Sequence, residues 1–166
     1  AAEGIQLFSS FAVLLSFRKS NRLTGVGQQM IFSVKDESTH SEAGCKIFRT
    51  IIEENPELWT EELRKSVYDG IHYAIQSEFT YINKIFELGD LETITKEQLK
   101  NFMYDRANRK LVELNLKPIY NVDKQLLNEM EWFYIMVSGE KQTDFFANRE
   151  TDYSKPNEDW NDNDLF

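Results

Sequence analysis

Apolar residues recur with helical spacing along most of this chain. From Glu3, one helical face carries Leu7, Ser10, Phe11 and Leu14, which predicts a first helix over roughly residues 1–19. Ordinary N-cap residues are missing before Glu3, so the stripe opens in mid-pattern, as it would in a piece cut from a longer chain. Ser20-Asn21-Arg22 make a short connection, and Thr24-Gly25 can open a second helix that runs to about Ile52. Gly25 and Gly27 are mildly unfavourable inside a helix, and close packing against a neighbouring helix is a reason to have them there. Asn55-Pro56 reads as a restart, with Asn as N-cap, Pro at the first helical position, and Glu57, Glu61 and Glu62 suited to the helix dipole. Val67, Ile71, Ala74, Ile75, Phe79, Ile82 and Phe86 then keep helical spacing as far as Gly89. His72 lies just off that stripe and reads as structural or exposed. Thr95-Lys96-Glu97-Gln98 is a capping box for a fourth helix, with Leu99, Phe102, Met103, Ala107 and Leu111 facing inward and Lys117-Pro118 ending it. A short helix is predicted from about Lys124 to Ser138, stopped by Gly139. No stretch alternates as a strand does, and the fold class is all-α.

From Glu140 onward the periodicity fails and polar residues dominate. The chain therefore divides into a helical domain, residues 1–139, and a flexible tail, residues 140–166. The last ten residues are acidic but include Trp160, Leu165 and Phe166. A solvated, unstructured tail is one reading. A tail that only solvates has little use for a terminal Leu-Phe, and an acidic peptide with apolar anchors is better suited to ordering on a partner.

Composition narrows the function. A chain of 166 residues is one domain, or part of one. Its 41% hydrophobic and 13% aromatic content can build a sizeable core, and scarce Gly and Pro favour long helices. A net charge of −9 argues against nucleic acid or an anionic membrane as partner. Cys45 is the only cysteine, so no intramolecular disulfide forms, and a reducing compartment fits. It reads as a packed helix residue rather than a ligand. No apolar run reaches membrane-spanning length, and the start lacks a signal pattern, which together predict a soluble, cytoplasmic protein.

The candidate chemistry sits in Lys35-Asp36-Glu37-Ser38-Thr39-His40-Ser41-Glu42. Glu37 and His40 form a Glu-x-x-His pair, which a helix brings to one face. Taken bare, such a pair reads as well as a solvated surface contact. Carboxylate-bridged di-iron and di-manganese bundles, however, take a Glu-x-x-His from each of two helices and a lone Glu from each of two others. This chain has one Glu-x-x-His and one well-placed lone Glu, Glu3, which is half of such a site. The face of Glu37 continues through Met30, Ser33, Val34, Ser41, Gly44 and Phe48. Acids on apolar faces are costly to bury alone, and a metal is the usual compensation.

The residues Glu3-Gly4-Ile5-Gln6-Leu7-Phe8-Ser9-Ser10-Phe11, then Gly25-Val26-Gly27-Gln28-Gln29 and Lys35 to Glu42, resemble the small subunit of class I ribonucleotide reductase. The resemblance continues through Pro56-Glu57-Leu58-Trp59-Thr60, Ala107-Asn108-Arg109-Lys110-Leu111 and Lys117-Pro118-Ile119-Tyr120. It reaches the run from Thr143 to Lys155, and so covers essentially the whole chain but only the C-terminal half of the family's protein.

That resemblance implies half of a ferritin-like helix bundle, completed by an N-terminal half chain. It implies that Glu3, Glu37 and His40 are metal ligands of a dinuclear iron centre, with manganese the other metal such donors admit. Asp36 matches an acid beside the metal site, which would orient a bound imidazole and carry a proton on the radical-transfer route. Phe11 matches a residue of the apolar pocket around the radical site, and Leu7 departs from the aromatic that some members have at the neighbouring position. Tyr153 matches a relay tyrosine on the flexible ending, and the residues after it a docking peptide for the large catalytic subunit. The family's other three ligands, its radical-bearing tyrosine and its transfer-route tryptophan have no counterpart here. The implied protein is a split small subunit, active with its N-terminal half and the large subunit, and dimeric. An ordinary exposed acid and an ordinary exposed tyrosine are the other readings of Asp36 and Tyr153. Two further readings of the chain stand beside this one. One is a ferritin-like oxidase or storage protein in which two copies pool their ligands, and the other is a metal-free interaction module.

Overall fold

The computed structural model describes residues 3–139. Tyr153 and the tail over residues 140–166 lie outside the described residues. Among the described residues six α-helices follow one another: α1 (Phe8–Lys19), α2 (Thr24–Glu54), α3 (Glu61–Ile85), α4 (Lys96–Glu113), α5 (Lys124–Glu129) and α6 (Glu131–Gly139). There is no strand among the described residues, so the all-α expectation holds. None of these helices is long and apolar enough to cross a membrane.

Helix α4 is the piece on which the others pack, touching α1, α2, α3 and α5. Its start is fixed locally. Thr95 Oγ accepts from the Gln98 amide while Gln98 Oε1 accepts from the Thr95 amide, the capping box read from the sequence. Leu99, Phe102, Met103, Ala107 and Leu111 are all fully buried. They meet Ile71, Ala74, Ile75 and Ile82 of α3, Phe8, Ala12 and Leu15 of α1, and Phe133 of α6 in a single cluster. The inward-facing residues expected of α4, and Ile71, Ala74, Ile75 and Ile82 of α3, are thus in the core, with Val67 and Phe79 half-buried against it.

Several boundaries fall elsewhere than expected, each for a visible reason. Asn55 does not cap a long helix. Its side chain turns back to donate to the Ile51 carbonyl at the end of α2, Pro56–Leu58 form a short 3-10 turn, and Thr60 caps α3 by accepting from the Leu63 amide. Helix α3 ends at Ile85, before Gly89, which sits at φ 115°. The predicted last helix is two helices broken at Met130, with Asp123 capping the first of them. The first helix starts at Phe8 rather than at residue 1, with residues 3–7 in turns and Leu7 left-handed at φ 77°.

The connection after α4 is tied down by one side chain. Asn108 donates to the Tyr120 carbonyl (2.8 Å) and accepts from the Ile119 and Tyr120 amides (3.1 and 3.0 Å). Tyr120 in turn stacks on Tyr104, their ring centroids 4.8 Å apart. Replacing Asn108 by Ala strands three backbone groups at a half-buried site. Asn108→Ala is expected to cost about 1–3 kcal/mol, read as a lower urea midpoint at unchanged slope.

Candidate metal centre

Helix α2 places the acidic motif. Its first half is anchored by Gly27, Ile31 and Val34, which are buried, and the contact with α1 is close. A Cβ at Gly27 would come 2.8 Å from Arg18 Cδ, so the glycine expected to serve helix packing does so. Gly25 is half-buried. Farther along, Arg49 donates to the Glu113 carbonyl at the end of α4 (2.9 Å), and Phe48 meets Trp59 edge to face at 5.8 Å. Between these anchors α2 passes the turn that carries Glu3.

In this stretch Glu3, Glu37 and His40 come together, each offering one donor atom within 4.8 Å of the others. His40 Nδ1 is 3.7 Å from Glu37 Oε2, and His40 Nε2 is 3.6 Å from Asp36 Oδ1. The two acids thus flank one imidazole from its two nitrogens, by the i,i+3 and i,i+4 spacings of the helix. Glu37 Oε2 is buried yet has no hydrogen-bond partner. A lone buried carboxylate oxygen beside an imidazole and a second carboxylate is a donor set for a hard or borderline cation, and the residues fit such a metal.

Two features differ from expectation. Glu3 lies in a turn and is exposed, not on the apolar stripe of a helix. His40 is also exposed, so Glu3 and His40 lie at the surface of this chain while Glu37 is half-buried. The buried residues of α2 are Gly27, Ile31 and Val34, whereas His40 lines an open cleft. Phe11 is buried, as a pocket residue would be, but Leu7 is exposed. His72 is exposed, with Nδ1 3.4 Å from the Tyr120 hydroxyl.

An open cleft of about 380 Å³ runs beside the donors, lined among others by Gly4, Ser41, Gly44, Cys45 and Lys110. A Cβ at Gly4 would come 2.3 Å from Ser41 Oγ and 3.0 Å from the Lys110 stem, so this glycine permits the approach of the Glu3 turn to α2. Cys45 is a free, half-buried thiol whose pKa is pushed up, chiefly by burial. Lys110 is buried and bonds Glu113 at 2.7 Å. The sequence signal for these lining residues is slight. Two buried charges nearby, Glu78 and Arg106, carry a clearer one. Glu78 falls on the stripe Ile71, Ile75, Ile82, and Arg106 falls one turn beyond Phe102.

The all-helical fold, with a carboxylate–imidazole cluster where a turn meets α2, is that of ferritin-like proteins. The crystal structure of a Bacillus halodurans protein assigned to class I ribonucleotide reductase superposes with a TM-score of 0.71 at 24% identity, over 81% of this chain and 47% of that one. Residues 1–127 match the family model described as ribonucleotide reductase, small chain, and the chain belongs to that family. It is 32% identical to the ribonucleoside-diphosphate reductase subunit beta of Chlamydia pneumoniae over 151 residues, 91% of this chain and 42% of the relative. It is 28% identical to the ribonucleoside-diphosphate reductase small chain of Variola virus over 155 residues, 93% of this chain and 44% of that one. The chain thus spans less than half the length of these relatives. The family generally carries a dinuclear metal site, and this chain presents an acidic and histidine group of matching kind.

Proposed function

We propose that this chain supplies the C-terminal half of a ribonucleotide reductase small subunit, and that Glu3, Glu37 and His40 are its share of a dinuclear metal centre. The observation that carries the reading is the convergence of three donors, one of them a buried Glu37 oxygen with no protein partner. Iron is the metal we favour, with manganese the alternative. When bound, the metals would supply the one-electron oxidising power that reduction of ribonucleotides to deoxyribonucleotides on a large subunit requires. A complementary half would bring the remaining ligands and cover the exposed face of α2. The exposure of His40 and of Ile47 and Ile51 on that helix supports such a partner. Dimerisation of the completed small subunit and action in the cytoplasm belong to the same proposal, as does the division into a helical domain over residues 1–139 and a docking tail over residues 140–166.

Within this reading, Asp36 holds the His40 imidazole from its Nε2 side and carries a proton alongside the electron. Tyr153 is the relay to the large subunit, and Trp160, Leu165 and Phe166 anchor the tail there. The test combines this chain with an N-terminal half and a large subunit. Two metals per completed site and nucleotide reduction support the proposal, whereas a folded assembly that takes up no metal overturns it. In the same assay Asp36→Asn is expected to keep the metal but lower turnover about 100-fold or more, as loss of a positioned proton carrier does. Full activity of Asp36→Asn would remove it from the transfer route. Tyr153→Phe, which loses only the phenol, is expected to keep both metal and large-subunit binding while abolishing turnover. Loss of binding instead would make it a docking residue.

A further inference from the structure

The first helix has the spacing to begin at residue 1, yet the chain is not helical between Glu3 and Leu7. Gly4 alone weakens a helix without ending it. Two buried charges from distant helices act on the backbone at this break. Arg106 of α4 is 8% exposed, donates from Nη2 to the Gly4 carbonyl at 3.1 Å, and lies 3.6 Å over the Phe8 ring. In a continuous helix the Gly4 carbonyl would accept from the Phe8 amide. Here the Phe8 amide donates to Ile5 at 3.3 Å instead. Glu78 of α3 is 6% exposed, and its Oε2 accepts from both the amide (3.3 Å) and the hydroxyl of Ser9. That carboxylate serves the first turn of α1 as a capping side chain would, where Leu7 offers no capping group.

Among the described residues neither charge forms a salt bridge, although Glu113 and the Tyr134 hydroxyl act on Arg106. Arg106 Nε has no partner, and burial pulls the guanidinium pKa below its ordinary value. Apolar side chains of similar volume would suit such positions better unless the charges hold something else in place. What they hold is the backbone at residue 4, inside the turn that carries Glu3, and at residue 9, in the first turn of α1.

We infer that Arg106 and Glu78 are positioning residues for the metal centre: they end α1 at Phe8 and keep the Gly4 carbonyl out of the helix, so that Glu3 reaches Glu37 and His40. The inference rests on reading Glu3 as a ligand, and its test separates the two. Cobalt(II) is titrated into the chain assembled with its N-terminal half and followed by its visible absorption for wild type, Glu3→Ala, Arg106→Met and the double variant. Met conserves the volume of Arg106 and removes the donor. Arg106→Met is expected to weaken cobalt about tenfold or more, the usual scale for a residue that orients a ligand. In the Glu3→Ala background the same change is expected to cost nothing further, and Arg106→Lys is expected to recover part of the loss. A merely structural role would instead lower affinity equally in both backgrounds, and that result overturns the inference. So does wild-type affinity in Arg106→Met when Glu3→Ala binds weakly. Unchanged affinity in Glu3→Ala overturns the ligand reading itself and the inference with it. Should Arg106→Met fail to fold, Glu78→Leu is read in the same cycle, with the same coupling to Glu3 expected and additivity overturning it.

Discussion

Phe133→Ala is expected to lower stability by about 3–5 kcal/mol, a large share of the roughly 5–15 kcal/mol that holds a domain folded. Phe133 is fully buried in α6 and is the point where that helix meets the rest of the core. Its ring lies edge-on to Phe102 of α4, centroids 5.0 Å apart, and 6.3 Å from Phe8 of α1. Truncation opens a cavity between three helices that cannot all close on it, because Phe8 is held by Arg106 and Phe102 by its own neighbours. Phe133→Leu keeps most of the volume and is expected to cost less than half as much. Trp132 next to it is half-buried, with Lys19 over its ring at 5.6 Å, and Trp132→Ala should cost less than Phe133→Ala. Urea denaturation of the three variants gives the order directly. Equal losses for Phe133→Ala and Trp132→Ala would mean that α6 is not seated in the core through Phe133.

What could be read from the sequence was local. Thr95 and Gln98 are three residues apart and satisfy each other's backbone, so nothing distant can hide that start. The same is true of the spacing that buries Leu99 through Leu111, and of Glu37 with His40, which any helix must place on one face. The expectations that missed were those that distant atoms decide. Asn55-Pro56 is a sound helix start in isolation, but the Asn55 side chain is used by the Ile51 carbonyl and the role passes to Thr60. The first helix fails at residues 3–7, where Arg106 takes the Gly4 carbonyl 102 residues away, and its first turn is held at Ser9 by Glu78, 69 residues away. Periodicity cannot register a contact across that separation. It does register a charge on an apolar stripe, and Glu78 among Ile71, Ile75 and Ile82 was legible in that sense. The position of Glu3 follows from this: it stands beside Glu37 and His40, but in a turn rather than on the helix expected to carry it.

Glu37→Gln is expected to move stability and metal binding in opposite directions. In the chain without metal, Glu37 Oε2 is a buried oxygen with no hydrogen bond, near the carboxylate of Glu3. An unsatisfied buried acceptor is destabilising, and clustered like charges add to it. The Glu37 side chain is 26% exposed, so solvent relieves part of this, and Gln is expected to leave the metal-free chain unchanged or more stable by up to about 1 kcal/mol. With metal the sign reverses. A carboxamide brings no charge and a poorer donor, and loss of one ligand from a shared site should weaken binding about 100-fold. Because bound metal stabilises only the folded chain, wild type at a hundredfold excess over its dissociation constant should gain about 2.7 kcal/mol, and Glu37→Gln almost none. Thermal melts with chelator and with added iron(II) or manganese(II), run on both proteins assembled with the N-terminal half, give all four values. A variant less stable than wild type in chelator would make Glu37 a structural residue. A variant that keeps the full metal-dependent shift would remove it from the ligand set, and with it the observation on which the proposed function stands.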